Sequence, residues 1–199
     1  MVKGGGGALT RSVHTRRVID SSVNQSLTAK YKADLRYLRF VNWLGANGAL
    51  FPRVEFPVAF GPDGLVGGLA KEDISANSAF LYIPERLCIG ITRAEESEIA
   101  DIYLQHPYLF SGHSESDAYR LYVFLMYEKL KSGDSFYHPY FQVIQDSALL
   151  CDWSEEELIE LQDPTLLLEA KEDRARIVAI WTELKEAVSS HPAFQTNIE

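Results

Sequence analysis

The sequence predicts an α+β protein, on three observations. Short extended segments punctuated by Gly and Pro turns fill the stretch from Arg53 to Pro84. Helical periodicity with capping signals dominates everything after Thr92. Strands and helices are thus segregated rather than alternating, and no internal repeat joins them. With 199 residues, 46% of them hydrophobic, the chain is long enough to bury a core without a disulfide or metal staple.

The elements follow in order. Residues 1–30 carry Lys3, Arg11, Arg16, Arg17 and Lys30 against Asp20 alone, with a glycine run at Gly4–Gly7 and no aromatic side chain. Such a leader is expected to be disordered. Its basic, hydroxyl-rich, acid-poor character also fits an organelle transit peptide loosely, while the apolar stretch of a secretory signal is missing. Order is expected from Tyr31. Asp34–Ala46 reads as a helix with Leu35, Leu38, Val41 and Leu44 on one face and Gly45 and Gly48 at its end. Three extended pieces follow, Arg53–Phe60, Gly64–Leu69 and Ala79–Pro84. The third alternates Phe80 and Tyr82 with Leu81 and Ile83, as if covered on both faces. Thr92 and Glu95 suggest a capping box opening a helix over Ala94–Gln105. Asp117–Lys131 is an aromatic-rich core helix with Lys129 and Lys131 in its last turn and Gly133 as its C-cap. Trp153–Leu158 combines a Ser154/Glu157 capping box with staple positions at Trp153 and Leu158. A long helix starts at Asp163–Pro164 and ends at His191–Pro192.

Charge and cysteine usage exclude several functions. Net charge is −9, and beyond the leader 14 basic residues face 27 acidic ones, so a nucleic-acid partner is not expected. No run approaches the roughly 18 apolar residues of a membrane span, so no membrane partner is expected. Cys88 and Cys151 stand far apart, which argues against a disulfide scaffold. They favour a reducing compartment, cytoplasm or nucleus, with an organelle left open by the leader.

Searches for chemistry mostly return structural readings. Gly61–Ala70 misses both the phosphate-loop and the dinucleotide spacing. Its glycines fit either a tight turn or close approach of backbone amides to a ligand. Gly112-His113-Ser114-Glu115-Ser116 departs from a nucleophile elbow at its last position, so Ser114 is read as a helix cap. Five unpaired histidines and two lone cysteines make no zinc set, so no metal site is expected. Glu155–Glu157 complements a helix dipole. No catalytic residue emerges from residue chemistry.

Taken together, several segments resemble a known family. They are Phe40-Val41-Asn42-Trp43-Leu44, Gly64–Ile74, Leu81–Leu87, Tyr137–Phe141, and Trp153–Leu158 with Leu161-Gln162 and Leu166-Leu167. In this order, over residues 34–185, they resemble the SET-domain protein lysine methyltransferases of the Rubisco large-subunit methyltransferase branch. The resemblance implies S-adenosylmethionine as cofactor, a protein substrate, and cofactor contacts from Gly64, Leu65, Val66 and Gly67. Counted back from Asp73-Ile74, the family's first glycine falls on Leu65, with Gly64 one place early. The family's Asn-His motif and its late catalytic tyrosine have no counterpart. None of the five asparagines precedes a histidine, and all ten tyrosines fall at or before Tyr140.

The expected organisation is therefore a leader (1–30), an N-terminal SET-like β unit with its leading helix (31–92), and an incomplete helical SET insert (93–199). The expected function is that of a truncated SET-type protein-lysine N-methyltransferase, inactive alone because neither reactant would be positioned for in-line transfer. A non-catalytic protein-interaction module derived from such an enzyme is the alternative.

Overall fold

The computed structural model describes residues 22–144 and 149–195. Two helices, α1 (Gln25–Ala33) and α2 (Leu35–Ala46), lead into one antiparallel hairpin of β1 (Val54–Phe60) and β2 (Leu65–Ala70). Everything that follows among the described residues is helical or irregular: α3 (Ile91–Glu95), α4 (Ala100–Gln105), α5 (Pro107–Phe110), α6 (Ser116–Leu130), α7 (His138–Phe141), α8 (Glu155–Glu160), α9 (Pro164–Ser190) and α10 (Pro192–Gln195). The mixed, helix-rich composition with a small sheet agrees with the α+β expectation.

Helix α1 corrects the expected start of order at Tyr31. Asn24 caps it by accepting from Leu27 N at 3.1 Å, and Lys30 and Lys32 lie in its last turn. Residues 1–21 of the expected leader lie outside the described residues. Asp34 ends α1 and caps α2, accepting from Arg36 N at 2.8 Å. The Arg36 guanidinium bonded to Asp34 holds its carboxyl below the usual carboxylate range. At its other end α2 closes in a Schellman motif: Gly48 N donates to Gly45 O and Ala49 N to Leu44 O, with Gly48 at φ +86°. The inward face of α2 is not the expected leucine stripe. Leu35 and Leu38 are exposed, whereas Tyr37 is buried and Phe40 and Trp43 turn toward other aromatic rings.

The hairpin pairs Phe60 with Leu65, Ala59 with Val66 and Val58 with Gly67, and its register shifts between Glu55 and Val58. Pro57 sits in that shift, where a missing N–H costs no ladder bond. The expected third strand does not form. Residues 79–84 make a single bridge, Leu50 with Tyr82, and Phe80 to Ile83 are exposed rather than covered.

The helical half holds the main core, in which Ile99, Phe110, Val123, Leu184, Val188 and Phe194 are all buried. Tyr119, Phe124 and Tyr127 of the aromatic stripe join it, while Tyr122 stays half exposed. Burial, with the bonded Glu98 carboxylate behind it, pushes the Tyr127 hydroxyl up to about 12. The expected Ala94–Gln105 helix is broken in two. Gly90, not Thr92, occupies the N-cap position, and the Ser97 hydroxyl donates to the Ala94 carbonyl at 2.6 Å, ending α3. Two caps also move. Ser132 (φ +50°), not Gly133, takes the left-handed position after α6. Ser114 donates to its neighbour Glu115, and it is Ser116 Oγ that accepts from His113 N. The Ser154/Glu157 capping box and the Asp163 cap of α9 form as expected.

An aromatic cluster joins the halves: Phe40 packs near Tyr140, and Trp43 near Phe136 and Tyr137.

Candidate functional site

The sequence-predicted residues Gly64, Leu65, Val66 and Gly67 lie together where the hairpin turns into β2. Gly64 requires its glycine: φ is +70°, and an added Cβ would stand 2.8 Å from Leu27 Cδ1 and 3.0 Å from the Tyr31 hydroxyl. Gly67 and Gly68 admit side chains of β1. A Cβ at Gly67 would meet Phe60 Cε2 at 3.0 Å, and one at Gly68 would meet Val54 Cγ1 at 2.9 Å. Leu65 is exposed.

The two edges of the hairpin differ. The outer edge of β1 is sealed by the approach to α1: Asn24 N donates to Ala59 O at 2.8 Å, Gly61 N to Ser22 O at 2.9 Å, and Ala59 N to the buried Thr28 hydroxyl at 2.9 Å. The outer edge of β2 carries no strand among the described residues.

Adenosylmethionine presents a carboxylate and an ammonium, which bare backbone groups can read. In this arrangement Gly64 fits such a group only once two side chains move aside: its carbonyl accepts from the Tyr31 hydroxyl at 3.2 Å, and Leu27 Cδ1 stands 2.8 Å from where its Cβ would be. Leu65, Val66 and Gly67 keep an open edge but bring no charged or polar side chain of their own.

Other parts of the molecule offer cavities rather than reactive groups. One of about 520 Å³ is lined by Ile89, Tyr122, Leu125, Met126 and Phe141. Another of about 470 Å³ is lined by Tyr122, Ile177, Ile180, Trp181 and Leu184. A third, of about 390 Å³, lies among Phe40, Trp43, Ile83 and Tyr140. None of these three includes residues 64–67 in its wall. Among the described residues no three His, Cys, Asp or Glu side chains are grouped to hold a metal ion. None of the described helices is long and apolar enough to cross a membrane.

One buried carboxylate escaped the sequence reading. Glu128 is 5% exposed and accepts from Ser135 Oγ at 2.6 Å and Lys131 Nζ at 3.1 Å. With both oxygens bonded, it ties α6 to the turn after it, and it lines a cavity of about 170 Å³ together with Arg93, Glu98, Tyr127 and Lys131. Its i, i+3 spacing to Lys131 was the available signal.

No family model matches the sequence. Two curated proteins do. The chloroplastic Rubisco large-subunit N-methyltransferase of Pisum sativum is 29% identical over 161 residues, 80% of this chain and 29% of the relative. That of Nicotiana tabacum is 33% identical over 131 residues, 64% of this chain and 24% of the relative. The chain thus spans 24–29% of the length of these relatives. Two solved structures share its fold over 83% of this chain and 37% of theirs, at 23% identity. They are Rubisco LSMT bound to sinefungin and monomethyllysine (TM-score 0.65) and the SET domain of LSMT bound to methyllysine and AdoHcy (TM-score 0.66). In sequence and in fold, this chain is similar to one part of the SET-domain protein-lysine methyltransferases of the Rubisco large-subunit branch.

Proposed function

We propose that this chain supplies the N-terminal part of an S-adenosylmethionine-dependent protein-lysine N-methyltransferase, and that residues 1–199 alone do not transfer a methyl group. The observation that carries the reading is the hairpin at Val54–Ala70. It follows the α2 helix, with β2 open along one edge and Leu65 exposed beside it. A strand edge and an apolar surface left in water are what a β unit shows when its neighbours come from elsewhere.

Bound adenosylmethionine would supply the electrophilic methyl group, and a protein lysine would be the acceptor. Gly64, Leu65, Val66 and Gly67 are the proposed donor contacts, through backbone groups rather than side chains. Transfer needs a neutral amine aligned with the sulfonium, and orientation contributes much of the rate. These 199 residues hold no Asn-His pair and no tyrosine after Tyr140 to make that alignment.

The test is a methylation assay of the purified 199-residue chain with labelled adenosylmethionine and histone or Rubisco as acceptor. Incorporation equal to the protein-free background is expected. Turnover by this chain alone would overturn the claim of inactivity.

A further inference from the structure

The glycine turn is covered by the chain's own first helix. Leu27 and Tyr31 are four residues apart and so share one face of α1. That face lies against Gly64: Leu27 Cδ1 would be 2.8 Å from a Cβ there, and the Tyr31 hydroxyl donates to the Gly64 carbonyl at 3.2 Å. We infer that α1 gates the turn, and that Leu27 and Tyr31 must withdraw before a methyl donor can use the Gly64 carbonyl.

This inference rests on the reading of Gly64–Gly67 as donor contacts. It adds that the contact at Gly64 is an internal competitor. A carbonyl engaged by a phenol is a poorer acceptor for an incoming ammonium, and Leu27 Cδ1 crowds the same α-carbon. The anchors of α1, Asn24 and Thr28, flank Leu27, so Leu27 clears Gly64 by turning its own side chain, whereas Tyr31 lies beyond them. The last turn, which carries Tyr31, is held by that hydroxyl, by the Tyr31–Tyr37 ring contact at 5.5 Å and by the exposed Lys32–Glu55 ion pair, a weak contact in water. Release of the C-terminal end therefore costs less than release of the whole helix.

Isothermal titration with S-adenosylhomocysteine tests the gate on the full chain and on Tyr31→Phe and Leu27→Ala. Each variant is expected to bind at least about fivefold more tightly than the parent, the equivalent of one net hydrogen bond. Tyr31→Phe loses a single oxygen and carries the test if Leu27→Ala unfolds. Hydrogen exchange on the parent protein gives a second readout: saturating ligand should speed exchange at Tyr31–Ala33 while slowing it at Leu65–Gly67. Equal or weaker binding by both folded variants, or protection of α1 by ligand, overturns the gate and leaves the donor contacts standing. No heat from any of the three proteins at millimolar ligand overturns the donor contacts and the gate together.

Discussion

From Ser22 to Cys88 the buried apolar side chains are few and mostly small, Val58 and Ala59 among them. Meanwhile Leu50, Leu65 and the run Phe80 to Ile83 stand in solvent. From Ile89 to Gln195 one contiguous cluster of mostly large side chains runs from Ala94 to Phe194, with Trp43 of the first half packed against it. The contrast follows from how each kind of element satisfies its backbone. A helix bonds within its own segment and needs partners only for its apolar stripe, whereas a strand needs a neighbour on both edges. The helical half therefore satisfies its backbone within its own segments, while Leu104, Ile159, Ile177 and Val178 of its outer faces stay in solvent. The hairpin half is finished on the α1 side and open on the β2 side.

One chemical change made in each half should separate them most sharply. Phe110 is fully buried in the helical core, so Phe110→Ala should cost about 3–5 kcal/mol by urea unfolding followed by circular dichroism. Phe80 is 47% exposed, so Phe80→Ala should stay within about 0.5 kcal/mol. Comparable losses at both sites would break the comparison, because they would place Phe80 in a core of its own.

Next in size is the seam between α1 and the turn. Gly64→Ala must both adopt φ +70° and meet Leu27 at 2.8 Å, a cost of about 1–3 kcal/mol. In a Leu27→Ala background the backbone penalty of about 1 kcal/mol should remain, together with the lesser contact to the Tyr31 hydroxyl at 3.0 Å. The double-mutant cycle reads that difference from three unfolding curves. Strict additivity would mean that the glycine is required for its conformation alone.

Local signals were the legible ones. Asp34, Ser154 with Glu157, and Asp163-Pro164 each announce a helix start within a few residues, and the structure uses all of them. The paired strands were legible from the turn Gly61–Gly64 between them. What stayed hidden depends on distant partners. Helix α1 has no apolar stripe, and its one buried residue is Thr28, whose value lies in accepting from the Ala59 amide 31 residues away. The extended run at 79–84 has the composition of a strand but pairs only at Tyr82, because no second neighbour is present among the described residues. At the candidate site the glycines could be seen in the sequence. What fills the space beside them, Leu27 and Tyr31, could not.

A cap in the helical half sharpens the comparison at smaller scale. Ser154→Ala removes the hydroxyl that accepts from Glu157 N at 3.2 Å and leaves in place the bond from the residue-154 N–H to the Glu157 carboxylate. The expected loss is about 1 kcal/mol in the unfolding midpoint. A cap worth nothing there would mean that α8 is held by Leu158 burial alone.

The smallest effect expected is electrostatic and lies at the contact between α8 and α9. Hydrogen bonding from Lys171, with Arg174 adding attraction, holds the Glu155 carboxyl below the usual glutamate range. A carboxyl depressed in the folded state favours folding above the ordinary glutamate pKa, and that contribution fades as pH falls through its folded value. Because the group is exposed, salt should weaken the effect. A carboxyl-detected NMR titration should place the Glu155 midpoint below the usual glutamate range. Lys171→Met should move it upward while leaving the helical core signals in place. Arg174 also donates to the Cys151 carbonyl at 2.7 Å, so part of the depression should survive in Lys171→Met. If the Glu155 midpoint already lies at the ordinary glutamate value in the parent protein, this end of α9 is held by its apolar contacts without help from charge.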